Sequence, residues 1–480
     1  MTSLLDETGP DLYRTNAFRV TGLPVGATAR DIRRRGERLR AAARYGVDAD
    51  TPVLPLPRPP DGPAVQQIVQ RLKDPAKRLV DELFWFWPED DADEAMTALR
   101  AGDLATAEAA WRNRSTAVAR HNRAVLAHAR ALDADAPDRA LWEEALTQWH
   151  AVIADRSFWD RFARRTAELD DPRLASVTAG SVRARLPTVL LSINARLALD
   201  AWRDDRRADA ESHLTVMRRS GFALETVDEV LRDAVHPDRK RLTKLCEDAE
   251  RAADADPEHA AAAGDRLAEQ AAPVLDLLGF ALTDDDPALG GAKDHVARQV
   301  MRCAIAYGNR TRDWRTARAL FQRAHPIAVS ESTAADIARN LAVAEENVRG
   351  ASCLFCDRPA ADRHALVRTM YGQVSRGQFR VTWRTREIAI PRCPSCHARQ
   401  TARAWLFGLG WAVWAALIVW TFAAFSTPLL LADAAMAVVQ WALGPRGLTP
   451  RQRRGVRAFD PVQDLLKKGW AFGTKPPGVN

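Results

Sequence analysis

Four of the six cysteines fall in two C-x-x-C pairs, Cys353-Leu354-Phe355-Cys356 and Cys393-Pro394-Ser395-Cys396, separated by 36 residues. Each such turn aims two thiolates at one point, so two turns complete a tetrahedral four-sulfur shell, which suits a single zinc ion. The expected metal ligands are therefore Cys353, Cys356, Cys393 and Cys396. A rubredoxin-like iron site and a redox dithiol are the chemical alternatives. His397 is a spare ligand beside a set that is already complete. A shell closed by four sulfurs leaves no open coordination position, so the expected role of the metal is structural. No nucleotide-binding loop, nucleophile elbow or H-E-x-x-H motif occurs, and no enzymatic activity is expected. Six cysteines in 480 residues are too few for a secreted disulfide framework, which points to a reducing cytoplasm. Cys246 and Cys303 lie in helical segments and read as buried apolar fillers.

The interval between the pairs contains the elements that would hold them. Val381 and Trp383 alternate with Arg380, Thr382 and Arg384, and Ile388 and Ile390 follow, which is strand periodicity with Gly372 and Gly377 as turn candidates. A β-hairpin bridging two cysteine knuckles is the design of a zinc ribbon, expected over residues 350–400. Arg380, Arg384 and Arg386 with Trp383 suggest a nucleic-acid surface. Because the ribbon ends just before an apolar block, anionic lipid headgroups are the preferred partner for these cations and nucleic acid is disfavoured.

That block, Ala404 to Phe425, holds 22 residues without a charge, about 33 Å as a helix. A second run from Pro428 to Leu443 carries Asp433. Arg392, Arg399 and Arg403 precede the block, and Arg446, Arg451, Arg453, Arg454 and Arg457 follow it. Basic flanks on both sides predict a transmembrane hairpin over 401–444 turning at Ser426 to Pro428, in preference to a single span. The expected location is the cell membrane with the remaining chain cytoplasmic, since no signal peptide opens the sequence. A basic tail, 445–480, would lie on the membrane surface or dock a partner.

At the other end, Thr28 and Asp31 form a capping box that opens a helix with Ile32 and Leu39 on one face and Arg33, Arg34, Arg35, Arg38 and Arg40 on the other. A Pro-rich stretch from Thr51 to Pro63 precedes a second helix running through Leu72 and Leu79 to Phe84-Trp85-Phe86-Trp87-Pro88. Asn16-Ala17-Phe18-Arg19-Val20-Thr21-Gly22-Leu23-Pro24, the apolar positions Ala27, Ile32 and Leu39, and Leu72-Lys73-Asp74-Pro75-Ala76-Lys77-Arg78 with Asp81 resemble a degenerate J-domain of DnaJ-type co-chaperones over about residues 11–82. The resemblance implies a DnaK-type chaperone as partner. The family's His-Pro-Asp would fall at Arg44 to Asp48, where this chain reads Arg-Tyr-Gly-Val-Asp, so stimulation of ATP hydrolysis is not expected. A His-Pro-Asp does occur at His236-Pro237-Asp238, in a context that backbone rules for a helix boundary explain.

Between the two ends, residues 91–349 are Ala- and Arg-rich with helical periodicity. Trp142, Leu146, Trp149 and Ile153 form one stripe, and Leu186, Leu190, Ile193 and Leu197 another. Leu99 to Leu104 leading to Ala107 and Trp111, and Asn309 to Trp314 leading to Ala317, Leu320 and Phe321, resemble tetratricopeptide-type helix pairs. The spacing between copies is irregular, which leaves a plain helical bundle open as the alternative.

Lys and Arg number 69 against 62 Asp and Glu, a net charge of +7 too thin for a nucleic-acid coat. Apolar residues at 47% and a mean hydropathy of -0.29 exclude both a disordered chain and a polytopic transporter. The expected fold is mainly α: a degenerate J-domain-like unit at 1–90, a helical repeat or bundle at 91–349, a small β zinc ribbon, and the transmembrane hairpin with its basic tail. Its expected function is to recruit a protein partner, with a DnaK-type chaperone the one implied, to the inner face of the membrane. The rival is a membrane-anchored nucleic-acid-binding protein.

Overall fold

The computed structural model describes residues 4–5, 8–45, 54, 62–90, 93–356, 358, 360, 362–377, 380–424 and 448–478. The chain divides into two compact units. One comprises Met1–Glu247 and Glu269–His295, the other Asp248–Ala268 and Val296–Asn480.

The first unit begins with α1 (Ala17–Thr21), α2 (Ala29–Tyr45), α3 (Gly62–Lys73) and α4 (Pro75–Leu83). Asn16 starts α1 by accepting from the Phe18 and Arg19 amides at 3.0 and 3.3 Å, and Gly22 closes it in the left-handed region at φ 66°. The capping box at α2 forms: the Thr28 amide donates to Asp31 at 3.0 Å and the Asp31 amide to Thr28 Oγ1 at 3.3 Å. Ile32 and Leu39 are buried, while Arg33, Arg34, Arg38 and Arg40 face solvent. Arg35 departs from the expected basic face, because its Nε turns inward to donate to the Thr21 carbonyl at 2.6 Å. Gly36 permits the close approach of α2 to α3; a Cβ there would sit 3.1 Å from Val69. Of Arg44 to Asp48, where the resemblance would place His-Pro-Asp, residues 46–48 lie outside the described residues, as does all of 46–61 but residue 54.

These four helices share one hydrophobic cluster with α5 (Glu94–Arg100), α6 (Leu104–Arg112), α7 (Ala117–Asp133), α8 (Arg139–Ala154), α9 (Arg156–Glu168) and α10 (Ala179–Arg203). Phe84, Trp85, Phe86 and Trp87 are all buried in it; Phe86 stacks on Trp111 at 5.3 Å and Phe84 meets Trp149 edge-on at 5.4 Å. Buried charge pairs key the parts together. Arg19 grips Asp133 through two bonds of 3.2 and 2.6 Å, and the Glu82 carboxylate receives Arg78 at 2.8 Å and Arg165 at 2.8 and 2.9 Å. α11 (Arg207–Arg219) and α12 (Leu224–Ala234) complete this region. The predicted stripe Trp142, Leu146 and Trp149 is fully buried with Ile153 half-buried, and Leu186, Leu190 and Ile193 are buried with Leu197 at the margin.

α13 (His236–Ala255), α14 (Ala260–Ala281) and α15 (Pro287–Thr311) each contribute residues to both units. His236-Pro237-Asp238 forms the first turn of α13, with Asp238 accepting from Arg203 at 2.7 Å, as the helix-boundary reading predicts. The second unit continues with α16 (Trp314–Ala324) and α17 (Glu331–Ala351). The two segments whose spacing suggested helix pairs share one turn. Gly102 and Arg312 both take positive φ, and the next residue, Asp103 or Asp313, caps a helix by accepting the amide of Thr106 or Thr316. Cys303 is buried against Gly264, where an added Cβ would meet its Cβ at 2.9 Å, and burial pushes its thiol up to about 11. Cys246 is likewise buried, so both cysteines serve as core.

β1 (Leu366–Arg376) and β2 (Val381–Ile390) form the predicted antiparallel hairpin, pairing Leu366 with Ile390 and Arg376 with Val381. Gly377 makes the turn, its amide donating to the Arg380 carbonyl at 2.8 Å. Gly372 does not turn the chain; it sits within β1 beneath the Trp470 ring, just before an irregularity in the register. α18 (Pro394–Ala424) follows, then α19 (Pro450–Ala458), α20 (Asp460–Lys467) and β3 (Ala471–Phe472). β3 joins β1 to give the sheet order β2-β1-β3. The segment read as a basic tail is thus part of a folded module: Leu448, Val456, Val462 and Leu465 are buried with Met370, Ile388 and Ile390 of the hairpin.

The expected transmembrane hairpin is not borne out. Among the described residues no helix is long and apolar enough to cross a membrane. The apolar part of α18 is diluted by four tryptophans, Trp405, Trp411, Trp414 and Trp420, whose indole N–H groups favour a polar boundary over hydrocarbon, and by Gly408 and Gly410. Its first turns carry Arg399 and Arg403. The second run, 428–443, with Asp433 and the proposed turn at 426–428, lies outside the described residues. The assignment to the cell membrane with a cytoplasmic remainder rested on those spans and is withdrawn with them.

Candidate metal centre

The two knuckles are built by different local devices and brought together by the hairpin between them. The first follows the end of α17. The Cys356 amide donates to the Cys353 carbonyl at 3.3 Å, closing the turn, and the Cys353 amide donates to the Arg358 carbonyl at 2.7 Å. The second lies where β2 runs into α18, with the His397 amide donating to the Cys393 carbonyl at 2.9 Å. One backbone bond ties the knuckles directly, from the Leu354 amide to the Pro391 carbonyl at 3.1 Å.

The Sγ atoms of Cys353, Cys356, Cys393 and Cys396 all lie within 4.8 Å of one another, close enough to hold one metal ion. Cys356 Sγ is 3.5 Å from both Cys393 Sγ and Cys396 Sγ. A tetrahedral zinc site with bonds of about 2.3 Å has sulfur–sulfur edges of about 3.8 Å, whereas a disulfide brings the sulfurs to about 2.05 Å. The spacing therefore matches a coordination shell, and all four cysteines are free thiols. Cys353, Cys393 and Cys396 are buried, and Phe355 packs against them.

The surroundings favour negative charge on one of the sulfurs. Cys393 accepts from the Cys396 amide at 3.4 Å in the first turn of α18 and lies 3.2 Å from Ser395 Oγ. The Ser395 hydrogen bond, with that amide, lowers the Cys393 thiol to about 6. Burial acts oppositely on its neighbours, raising Cys353 and pushing Cys396 up to about 12. One sulfur is therefore poised as a thiolate, and a divalent cation held by the four cysteines would supply the charge that favours deprotonation of the others. Arg399 donates to Cys396 Sγ at 3.7 Å. Behind the shell, buried Arg392 donates to the His364 carbonyl at 2.6 Å, to Gln400 Oε1 at 2.9 Å and to His397 Nδ1 at 2.7 Å. His397, weighed from sequence as a substitute ligand, is thus held by Arg392 outside the four-sulfur group.

The structure brings all four predicted ligands together. Sequence reasoning missed Arg392, Ser395 and Gln400, whose contacts depend on the fold of the second knuckle; the i, i+8 separation of Arg392 and Gln400 across a helix start is the only sequence trace of that network. Of the cations read as a ligand surface, Arg380 precedes β2 and Arg384 and Arg386 lie on it, all three exposed, while the Trp383 indole donates to the Thr474 carbonyl at 3.0 Å. Comparison of the chain with protein-family models, with curated proteins and with solved structures finds no match.

Proposed function

We propose that the protein is a non-catalytic scaffold that recruits a protein partner through its J-like N-terminal helices and carries a zinc-stapled module at its C-terminal end. The observation that carries the reading is the outward face of α2: burial of Ile32 and Leu39 leaves Arg30, Arg33, Arg34, Arg38 and Arg40 exposed along one side of a single helix. Such a row attracts and orients an acidic protein surface. The order of a short α1, a longer α2 and α3 packed beside it also fits the J-domain resemblance, so a DnaK-type chaperone is the partner of choice. Four sulfurs at coordination spacing support zinc over a catalytic metal, since no position is left open for substrate.

The test is direct binding of the full chain to a DnaK-type chaperone, with ATP hydrolysis followed in parallel. The expected result is binding without stimulation, weakened at least about tenfold by Arg33→Glu with Arg34→Glu and Arg38→Glu in a variant of unchanged circular dichroism. Absence of binding contradicts the reading, and stimulation abolished by His236→Ala shows that His236-Pro237-Asp238 is the working element. A nucleic-acid-binding role predicts instead affinity for oligonucleotides that falls steeply with salt and with Arg384→Ala and Arg386→Ala.

A further inference from the structure

His236 of the His-Pro-Asp tripeptide has no part in the docking face, yet it lines one wall of a cavity of about 310 Å3 in the first unit. α13 contributes His236, Arg239 and Lys240, which the helical repeat places on one face. α15 contributes Gly291, Ala292 and His295, whose small members leave room; a Cβ added at Gly291 would meet nothing within 4 Å. The lining thus holds two fixed cations and two imidazoles, and no carboxylate.

Two neighbouring acids have hydrogen-bond partners outside the cavity, and the Asp286 carboxylate also feels the charge of Arg239. Asp286 accepts from Arg232 Nε at 2.8 Å and from the Ala288 amide at 2.8 Å, and Asp238 accepts from Arg203 at 2.7 Å. His295 lines the cavity, and its buried Nε2 has no hydrogen-bond partner among the described residues, a state it shares with eleven other side-chain atoms. Half-buried Arg239 and His295 would then hold the inner side of an anion, with exposed His236 and Lys240 at the rim.

We propose that this cavity binds a phosphate dianion, free or as the monoester of a small molecule. Its volume is at the low end for a ligand site and admits a phosphate with a few further heavy atoms. Charge-assisted contacts from a guanidinium and an ammonium are the chemistry that selects phosphate over a neutral polyol.

Calorimetric titration of the full chain with inorganic phosphate and with phenyl phosphate tests this. Saturable 1:1 binding is expected, weakened about tenfold or more by Arg239→Glu with Lys240→Glu. Gly291→Phe, which keeps every charge and fills the open space, should weaken it comparably while the thermal transition stays in place. Tighter binding of phenyl phosphate identifies a monoester ligand, and equal binding identifies free phosphate. Binding that does not saturate, that chloride matches at equal concentration, or that survives both variants overturns the proposal.

Discussion

At the scale of single residues, the chemistry-bearing side chains divide into those that sequence spacing reveals and those that only folding places. The C-x-x-C repeats expose all four sulfurs of the candidate metal centre because each pair is closed by a local turn. Arg392 and Ser395 acquire their roles from hydrogen bonds that no spacing rule contains. The buried histidines are of the second kind. His121 donates from Nε2 to the Leu83 carbonyl at 2.7 Å, His128 meets the Tyr13 hydroxyl at 3.3 Å, and His213 donates to Asn194 Oδ1 at 3.0 Å. Burial lowers them to about 4, about 3 and about 4 respectively. A depressed histidine stays neutral in the folded chain while the unfolded chain takes up a proton below about pH 6.5. Its stabilisation is therefore complete above that pH and is lost as the pH falls toward the folded value. Three such groups together predict a loss of up to about 4 kcal/mol per pH unit between about pH 6 and 4. Urea unfolding at pH 7.5, 6.0 and 5.0 checks this: the midpoint should fall with acidification and His213→Gln should soften the fall, whereas a constant midpoint contradicts it.

At the scale of elements, amphipathic patterns were legible wherever one face meets a core. The capping box and the Ile32/Leu39 stripe define α2, and alternation over 381–390 defines β2. Two features defeated the same reasoning. α18 reads as a membrane span because counting uncharged residues ignores the interfacial preference of tryptophan. The C-terminal segment reads as a tail because β3 is two residues long and its partner strand lies about a hundred residues earlier. Gly372 is where that pairing is decided, since an added Cβ would lie 2.4 Å from the Trp470 ring. Gly372→Val should therefore displace Trp470 and strip the segment from the sheet, at a cost of about 1–3 kcal/mol. Trp470 fluorescence shifted to the red, with faster hydrogen exchange at Phe472, is the expected result; unchanged fluorescence and exchange would place the segment elsewhere.

At the scale of the whole molecule, the modest net charge is a matter of placement. Arginines stand out along α2 and on β2, while others are consumed in buried pairs such as Arg19–Asp133 and Arg165–Glu82. Helices α1 to α4 are not an appendage, because Phe84 to Trp87 belong to the same hydrophobic cluster as α7 to α10; composition changes near residue 90, and this packing continues across it. In the second unit the four cysteines that could hold a metal ion sit beside a small three-stranded sheet and the short helices α19 and α20. Elemental analysis of the reduced full chain, coupled to melting of the wild type and of Cys353→Ser with Cys393→Ser, tests this centre most directly. The prediction is one zinc ion per chain, lost in the variant together with the slow-exchanging amides of β1 and β2 while those of α7 to α10 persist. Zinc-free protein with an intact hairpin, or zinc retained by the variant, would contradict it.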